Sequence, residues 1–244
     1  MSENCGNQIK IILAGLDNAG KSSMLVAVKK MYGFVEDVRQ LKPTVRIEYY
    51  HRSFLNLDLN FWDMGGQEKY REIYLKRHMY FMDINQLIYL IDIQDELRFN
   101  ESVEYLGKIL EILRDNDFDK SKEIFICFSK MDYEQMFSEK PEYIEHMAMI
   151  RKLIFKEYPD FKFRFYSTSI FNIYSIVKMI SESLKVYIPG YKDIIDALED
   201  YGTTYGSEMV LLFDSTGLII ADFIKNYNDQ TKNTLDKIIN EHLE

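Results

Sequence analysis

Short apolar runs and longer amphipathic stretches alternate along this chain. Residues 9–15, "IKIILAG", are continuous and apolar, as in a strand covered on both faces. Met24, Leu25, Val28 and Met31 then recur at helical spacing. "LNLDLNFWD" alternates apolar with polar, the mark of a half-buried strand, and "QLIYLID" is again continuous. Val103, Leu106, Leu110 and Leu113 mark a helix, "EIFICF" a buried strand, and Met147, Ile150 and Ile154 a further helix. "FKFRFYS" alternates, and Ile173, Ile176, Val177, Ile180 and Leu184 line the helix after it. Strands taking turns with helices predict an α/β fold, a mostly parallel sheet with helices on both faces. Ligands of such sheets sit at the carboxyl ends of the strands.

The chain changes character near Pro189–Gly190. Residues 190–244 carry 4 lysines against 11 acids, a net of -7, of the -9 on the whole chain. "YKDIIDALEDYG" reads as a helix ending near Gly202, and "MVLLFDSTGLIIADF" as two apolar strands about a Ser-Thr-Gly turn. Leu235, Ile238, Ile239 and Leu243 mark a last amphipathic helix. The expected organisation is a large domain over 1–189 and a small α+β extension over 190–244. Two apolar strands with free edges invite pairing with another chain. The alternative is that they fold back on the larger domain.

Composition narrows the classes. With 244 residues, 47% hydrophobic and 28% charged, the chain suits a globular protein. Its acidity argues against a general nucleic-acid binder. Cys5 and Cys127 cannot build a disulfide framework, which fits a reducing compartment, and Cys127 lies in an apolar strand as an inert thiol. No apolar run reaches membrane-spanning length, "MSENCGNQIK" has no apolar core, and neither end offers a lipidation signal. A cytoplasmic chain is expected, reaching membranes only through a partner. His51, His78, His146 and His242 show no metal-ligand spacing.

Chemistry concentrates in a few stretches. "GLDNAGKSS" matches G-x-x-x-x-G-K-[ST] from Gly15 to Ser22, after a strand and at the opening of a helix. In this motif the backbone N–H groups of Asp17, Asn18, Ala19, Gly20, Lys21, Ser22 and Ser23 surround phosphates, helped by the helix N-terminus. Lys21 would reach the β- and γ-phosphates, and the Ser22 hydroxyl would ligate Mg²⁺. "FWDMGGQEKY" ends the next long strand: Asp63 can hold Mg²⁺ through water, Gly66 can bring its N–H to a γ-phosphate, and Gln67 can orient an attacking water. Between the two lies "KPTVRIEYY", whose Thr44 can complete the Mg²⁺ shell. Lys21, Thr44 and Gln67 are the candidate catalytic residues; Ser22, Thr44 and Asp63 are the candidate metal ligands.

The order P-loop, Thr, Asp-x-x-Gly-Gln, Lys-x-Asp, then "TSI" resembles that of the Ras-like small GTPases. "GLDNAGKSS" and "WDMGGQE" resemble the Arf type. "TVRIE", "SKMD" and "YSTSIFN", followed by a C-terminal extension, resemble the Rag GTPases. The resemblance is strong over residues 9–187 and fainter beyond, where helix-strand-strand-helix looks like the first half of a roadblock-type domain. It implies a P-loop NTPase of the Ras-like G-domain fold, GTP and GDP as ligands with Mg²⁺, slow hydrolysis, activating and exchange proteins, and a homodimer or heterodimer with a related GTPase through the extension.

"SKMD" carries Lys130 and Asp132 of a guanine-reading Asn-Lys-x-Asp, with Ser129 in place of the Asn. In the resembled fold Asp132 accepts two hydrogen bonds from guanine that adenine cannot supply. The Lys130 stem lies along the base, the Ile170 backbone N–H serves guanine O6, and Ser169 shapes the turn. Ser129 is shorter than Asn, so its brace is expected to be weak or water-mediated. No arginine stands in a motif that acts in cis, so a partner would supply much of the rate. Three rivals remain: an Arf-like trafficking GTPase, a P-loop ATPase or kinase, and a scaffold that holds nucleotide without hydrolysing it.

Overall fold

Strands β1 (Asn7–Gly15), β3 (Leu57–Met64), β4 (Gln86–Asp92), β5 (Glu123–Ser129) and β6 (Lys162–Ser167) run parallel, with β2 (Ile47–Phe54) antiparallel at one edge. Their order is β2-β3-β1-β4-β5-β6, so winding reverses at β1. The computed structural model describes residues 7–30, 34–116, 118–132, 142–215 and 218–226, with 228, 231, 234 and 235.

Helices cover both faces of this sheet, as the continuous apolar runs require. The helices are α1 (Lys21–Lys30), α2 (Val35–Arg39), α3 (Glu68–Lys76), α4 (Phe99–Asp115), α5 (Glu142–Glu157), α6 (Ile173–Leu184) and α7 (Tyr191–Thr204). In β4, Ile88 and Leu90 point into one apolar cluster, while Leu87, Tyr89 and Ile91 point into the other. In β5, Phe125 and Cys127 face one way and Ile124, Ile126 and Phe128 the other. Each large side chain so buried contributes about 1.5–3 kcal/mol. The Cys127 thiol is fully buried, and burial pushes it up to about 12, which keeps it inert.

The extension forms its own two-stranded antiparallel sheet, β7 (Met209–Phe213) with β8 (Ile219–Ile224). The hairpin packs against the larger part of the chain, a contact that leaves the expected pairing with a second chain untouched. Leu218, Ile219, Ile220 and Ala221 join the cluster that contains Ile173, Ile176, Val177, Ile180 and Leu184 of α6. Polar contacts fix the docking: Ser181 Oγ donates to the Ile219 carbonyl, Lys178 Nζ reaches both Asp222 oxygens (2.8 and 2.6 Å), and the Tyr174 hydroxyl donates to Asp222 (3.0 Å). The reason is α6 itself, which is apolar on more sides than the main sheet can cover. Of the expected last helix, Leu235 is fully buried, and Ile238, Ile239 and Leu243 lie outside the described residues, as do Met31, Cys5 and His242.

Candidate functional site at the carboxyl ends of the strands

β1 ends at Gly15, and after five intervening residues α1 begins with Lys21. The turn passes through left-handed backbone at Asn18 (φ 61°) and Gly20 (φ 83°), a region open to glycine and tolerated by Asn. The Lys21 ammonium is buried and donates to the carbonyls of Gly15 (3.1 Å) and Leu16 (2.6 Å). Burial pushes it down to about 8, against the pull of the Asp63 and Asp17 carboxylates.

Asp63, at the end of β3, is fully buried. Its Oδ2 accepts from Ser22 Oγ (2.5 Å) and Thr44 Oγ1 (3.2 Å), and these two hydroxyls lie 2.7 Å apart. Its Oδ1 is buried with no hydrogen-bond partner. Burial raises the carboxyl, and the Ser22 bond and Lys21 charge oppose this. One carboxylate and two hydroxyls, all oxygen donors with an orphaned acceptor among them, fit a hard cation such as Mg²⁺, which takes few protein ligands beside phosphate and water. The three expected metal ligands thus converge from α1, from the loop before β2 and from β3.

The glycine pair after Asp63 wedges between two loops. The Gly65 N–H donates to the Arg46 carbonyl (2.7 Å), and the Asp17 N–H donates to the Gly66 carbonyl (3.1 Å). A Cβ on Gly66 would stand 2.2 Å from the Asp17 nitrogen, so only glycine fits. Gln67 follows as the N-cap residue of α3. Asp17, Asn18, Gly20, Lys21, Ser22, Ser23, Thr44, Gly66, Gln67 and Lys130 line one cavity of about 280 Å³, together with Leu41, Lys42 and Pro43. Gly15 and Ala19 support this loop from behind as buried residues.

The second half of the site lies after β5 and β6. Ser129 does not leave the brace to water. Its buried hydroxyl lies 2.8 Å from the Ala19 carbonyl and 3.1 Å from that of Ile91, so it ties β5 directly to the P-loop. Of the two forms expected for this brace, weak or water-mediated, the contact is direct rather than through water, because β5 approaches the P-loop closely enough for a short side chain to reach. Lys130 adopts φ 59° and its ammonium pairs with Asp92 Oδ2 (2.6 Å). Asp132 Oδ1 accepts from Ser169 Oγ (2.7 Å), and Oδ2 lies 3.4 Å from the Gln94 amide. The two loops are also tied by backbone, Met131 N–H to the Thr168 carbonyl at 3.0 Å. Ile170 packs its side chain on the apolar cluster, outside that cavity, and Ser169 accepts from the Phe171 N–H (3.1 Å) to shape the turn. Asp92, Gln94 and Arg98 also touch site residues, Lys130, Asp132 and Asp17 in turn, and no local pattern announces them.

These features define a G domain of the P-loop class. A family model described as the Gtr1/RagA G protein conserved region matches residues 10–241, and the chain belongs to that family of small GTPases, which bind and hydrolyse GTP. It is 29% identical over 226 residues to GTP-binding protein gtr1 of Schizosaccharomyces pombe, covering 91% of this chain and 70% of that one. Against GTP-binding protein GTR1 of Saccharomyces cerevisiae the identity is 29% over 227 residues, 90% of this chain and 69% of the relative. Ras-related GTP-binding protein A of Dictyostelium discoideum is 27% identical over 187 residues, 72% of this chain and 61% of that protein. The structure of the Arl6 BBS3 small GTPase of Trypanosoma brucei with bound GppNp covers 74% of this chain and 97% of its own, with a TM-score of 0.58 and 18% identity, a likeness of fold. The Rag resemblance and the mostly parallel G-domain fold both hold. Among the described residues no helix is long and apolar enough to cross a membrane.

Proposed function

We propose that this GTPase is a Mg²⁺-dependent switch whose base-reading residue is Asp132 and whose hydrolytic residues are Lys21, Thr44 and Gln67. The carrying observation is the convergence of Ser22, Thr44 and the orphaned Asp63 carboxylate beside buried Lys21. The Lys21 ammonium faces the β- and γ-phosphates and offsets their charge. Ser22, Thr44 and Asp63 would hold Mg²⁺, which when bound neutralises charge on the β- and γ-phosphate oxygens. Gln67 orients the attacking water through its carboxamide. Asp132 accepts from the guanine edge, with Ser169 holding one of its oxygens and the Ile170 N–H left for O6.

The switching reading rests on backbone ties. The Arg46 carbonyl accepts from both the Gly65 N–H (2.7 Å) and the Tyr74 hydroxyl (2.6 Å), and Gly66 is tied to the P-loop at Asp17. The loop bearing Thr44 and the stretch from Asp63 to Tyr80 therefore move as a coupled pair. A γ-phosphate would order both, and hydrolysis would release both toward activating, exchange and effector proteins. In this reading residues 1–189 are the GTP-binding domain and 190–244 an extension that pairs with an identical or related chain along the free edge of the β7–β8 hairpin. Work in the cytoplasm, with recruitment to membranes by a partner, completes the proposal.

The test is single-turnover hydrolysis by the full chain loaded with GTP and Mg²⁺. Gln67→Leu should lower the rate at least tenfold with GTP still bound, and chelation of Mg²⁺ should speed GDP release by at least tenfold. A Gln67→Leu rate equal to wild type would remove Gln67 from the mechanism. Nucleotide release indifferent to chelation would remove the metal site.

A further inference from the structure

Asp17 lines the phosphate cavity, yet it is an acid where phosphates must lie. Its Oδ1 accepts from Arg98 Nη2 at 2.7 Å. Arg98 ends the single 3₁₀ turn Glu96–Arg98 that leads into α4. Arg98 Nε donates to Glu101 Oε2 (2.8 Å), and its Nη2 lies 3.4 Å from Oε1. Glu101 Oε1 accepts in turn from Arg71 Nη2. Arg71 belongs to α3, where its side chain is nine-tenths buried and its guanidinium lies 5.1 Å from the centre of the Tyr105 ring. Its backbone N–H donates to the Gln67 carbonyl at 3.0 Å, closing the first turn of α3. A chain of alternating charge thus runs from the P-loop, through Asp17, Arg98, Glu101 and Arg71, to the turn that carries Gln67.

Isolated exposed ion pairs contribute little, because water screens them and side-chain entropy opposes them. This chain differs on two counts. It is a network in which Arg98 bridges two acids and Glu101 bridges two guanidinium groups, and its far end is anchored in the protein interior.

We propose that Arg98 and Glu101 are positioning residues for GTP hydrolysis, coupling the P-loop to the helix that places Gln67. The proposal rests on the reading of Gln67 as the residue that orients water. Glu101 holds Arg71, Arg71 holds the first turn of α3, and Arg98 both orients Glu101 and neutralises Asp17 at the lip of the cavity. Displacing a group that orients a reactant by about 1 Å can slow a reaction about a hundredfold, so a loose first turn is enough to matter.

Single-turnover hydrolysis and GTP affinity should be measured on the full-length chain with Mg²⁺ for wild type, Arg98→Ala, the nearly isosteric Glu101→Gln, and the double variant. Each single variant is expected to hydrolyse GTP about tenfold more slowly, with affinity changed less than about threefold. The double variant should be no slower than the slower single one, because both break the same chain. Rates within about twofold of wild type overturn the proposal. So does a loss that multiplies in the double variant, or one matched by an equal loss of GTP affinity, which marks a general structural role. Gln67→Leu separates the two levels. If it abolishes hydrolysis while Arg98→Ala and Glu101→Gln do not slow it, the coupling alone fails. If Gln67→Leu hydrolyses like wild type, the reading of Gln67 and the coupling fail together.

Discussion

At the scale of single residues, the Lys-x-Asp loop shows both the reach and the limit of a motif. Lys130 and Asp132 are legible as Lys-x-Asp after an apolar strand. What Ser129 does is not, because its role depends on how far β5 stands from the P-loop. At 2.8 Å its hydroxyl reaches the Ala19 carbonyl, so the missing Asn costs less bracing than its length suggests. The pairing of Asp132 Oδ1 with Ser169 sharpens a test of the base reader. In Asp132→Asn the Ser169 hydroxyl keeps the amide oxygen on its own side, which sends the NH₂ to the other. A donor then stands where an acceptor stood, and the C2 oxygen of xanthine complements it. The variant should bind xanthosine triphosphate at least tenfold better than GTP in a competition assay; an unchanged preference for GTP would mean that Asp132 does not read the base.

At the scale of elements, periodicity found the buried strands and the helices whose apolar stripes face the sheet. It did not mark α3, whose sequence "EKYREIYLK" is mostly polar and buries only Arg71 and Tyr74. That helix is held by contacts from elsewhere: the Tyr74 hydroxyl on the Arg46 carbonyl, and the Arg71 pair with Glu101. The docking of the hairpin on α6 is likewise carried by specific groups. The Asp222 side chain is nearly buried and holds both Lys178 and Tyr174. Asp222→Ala removes those hydrogen bonds and should destabilise the chain by about 1–3 kcal/mol. For a chain of this size that lowers Tm by several degrees, on the order of 2–4 °C per kcal/mol, as thermal unfolding would show. A melting curve superposable on wild type would mean that apolar contacts alone dock the hairpin.

At the scale of the whole molecule, residues 218–221 of the extension pack into the same apolar cluster as α6. β8 covers α6, whereas β7 is only half-buried, with Leu212 exposed, and among the described residues each strand of the hairpin pairs on one side alone. The proposed pairing with a second chain therefore falls on the β7 side. Leu212→Asp places a charge on that surface without touching α6. Sedimentation should then show self-association, or binding to a related chain, weakened at least tenfold, with GTP binding intact. If Leu212→Asp sediments like wild type at matched micromolar concentrations, β7 is not the contact.

The sequence by itself determined the α/β class, the P-loop, the acid and glycines after the second long strand, and the Lys-x-Asp loop. Each of these is written in residues a few positions apart, where one turn of helix or one strand fixes the geometry. Only the tertiary structure decided which distant groups share a site. Ser22 meets Thr44 and Asp63 because β1 and β3 lie side by side in register. Arg98 meets Asp17, 81 residues away, because β4 pairs with β1 and so delivers the turn that follows β4 to the lip of the P-loop. Strand order sets such meetings, and strand order is decided by the packing of the whole sheet rather than by any local pattern.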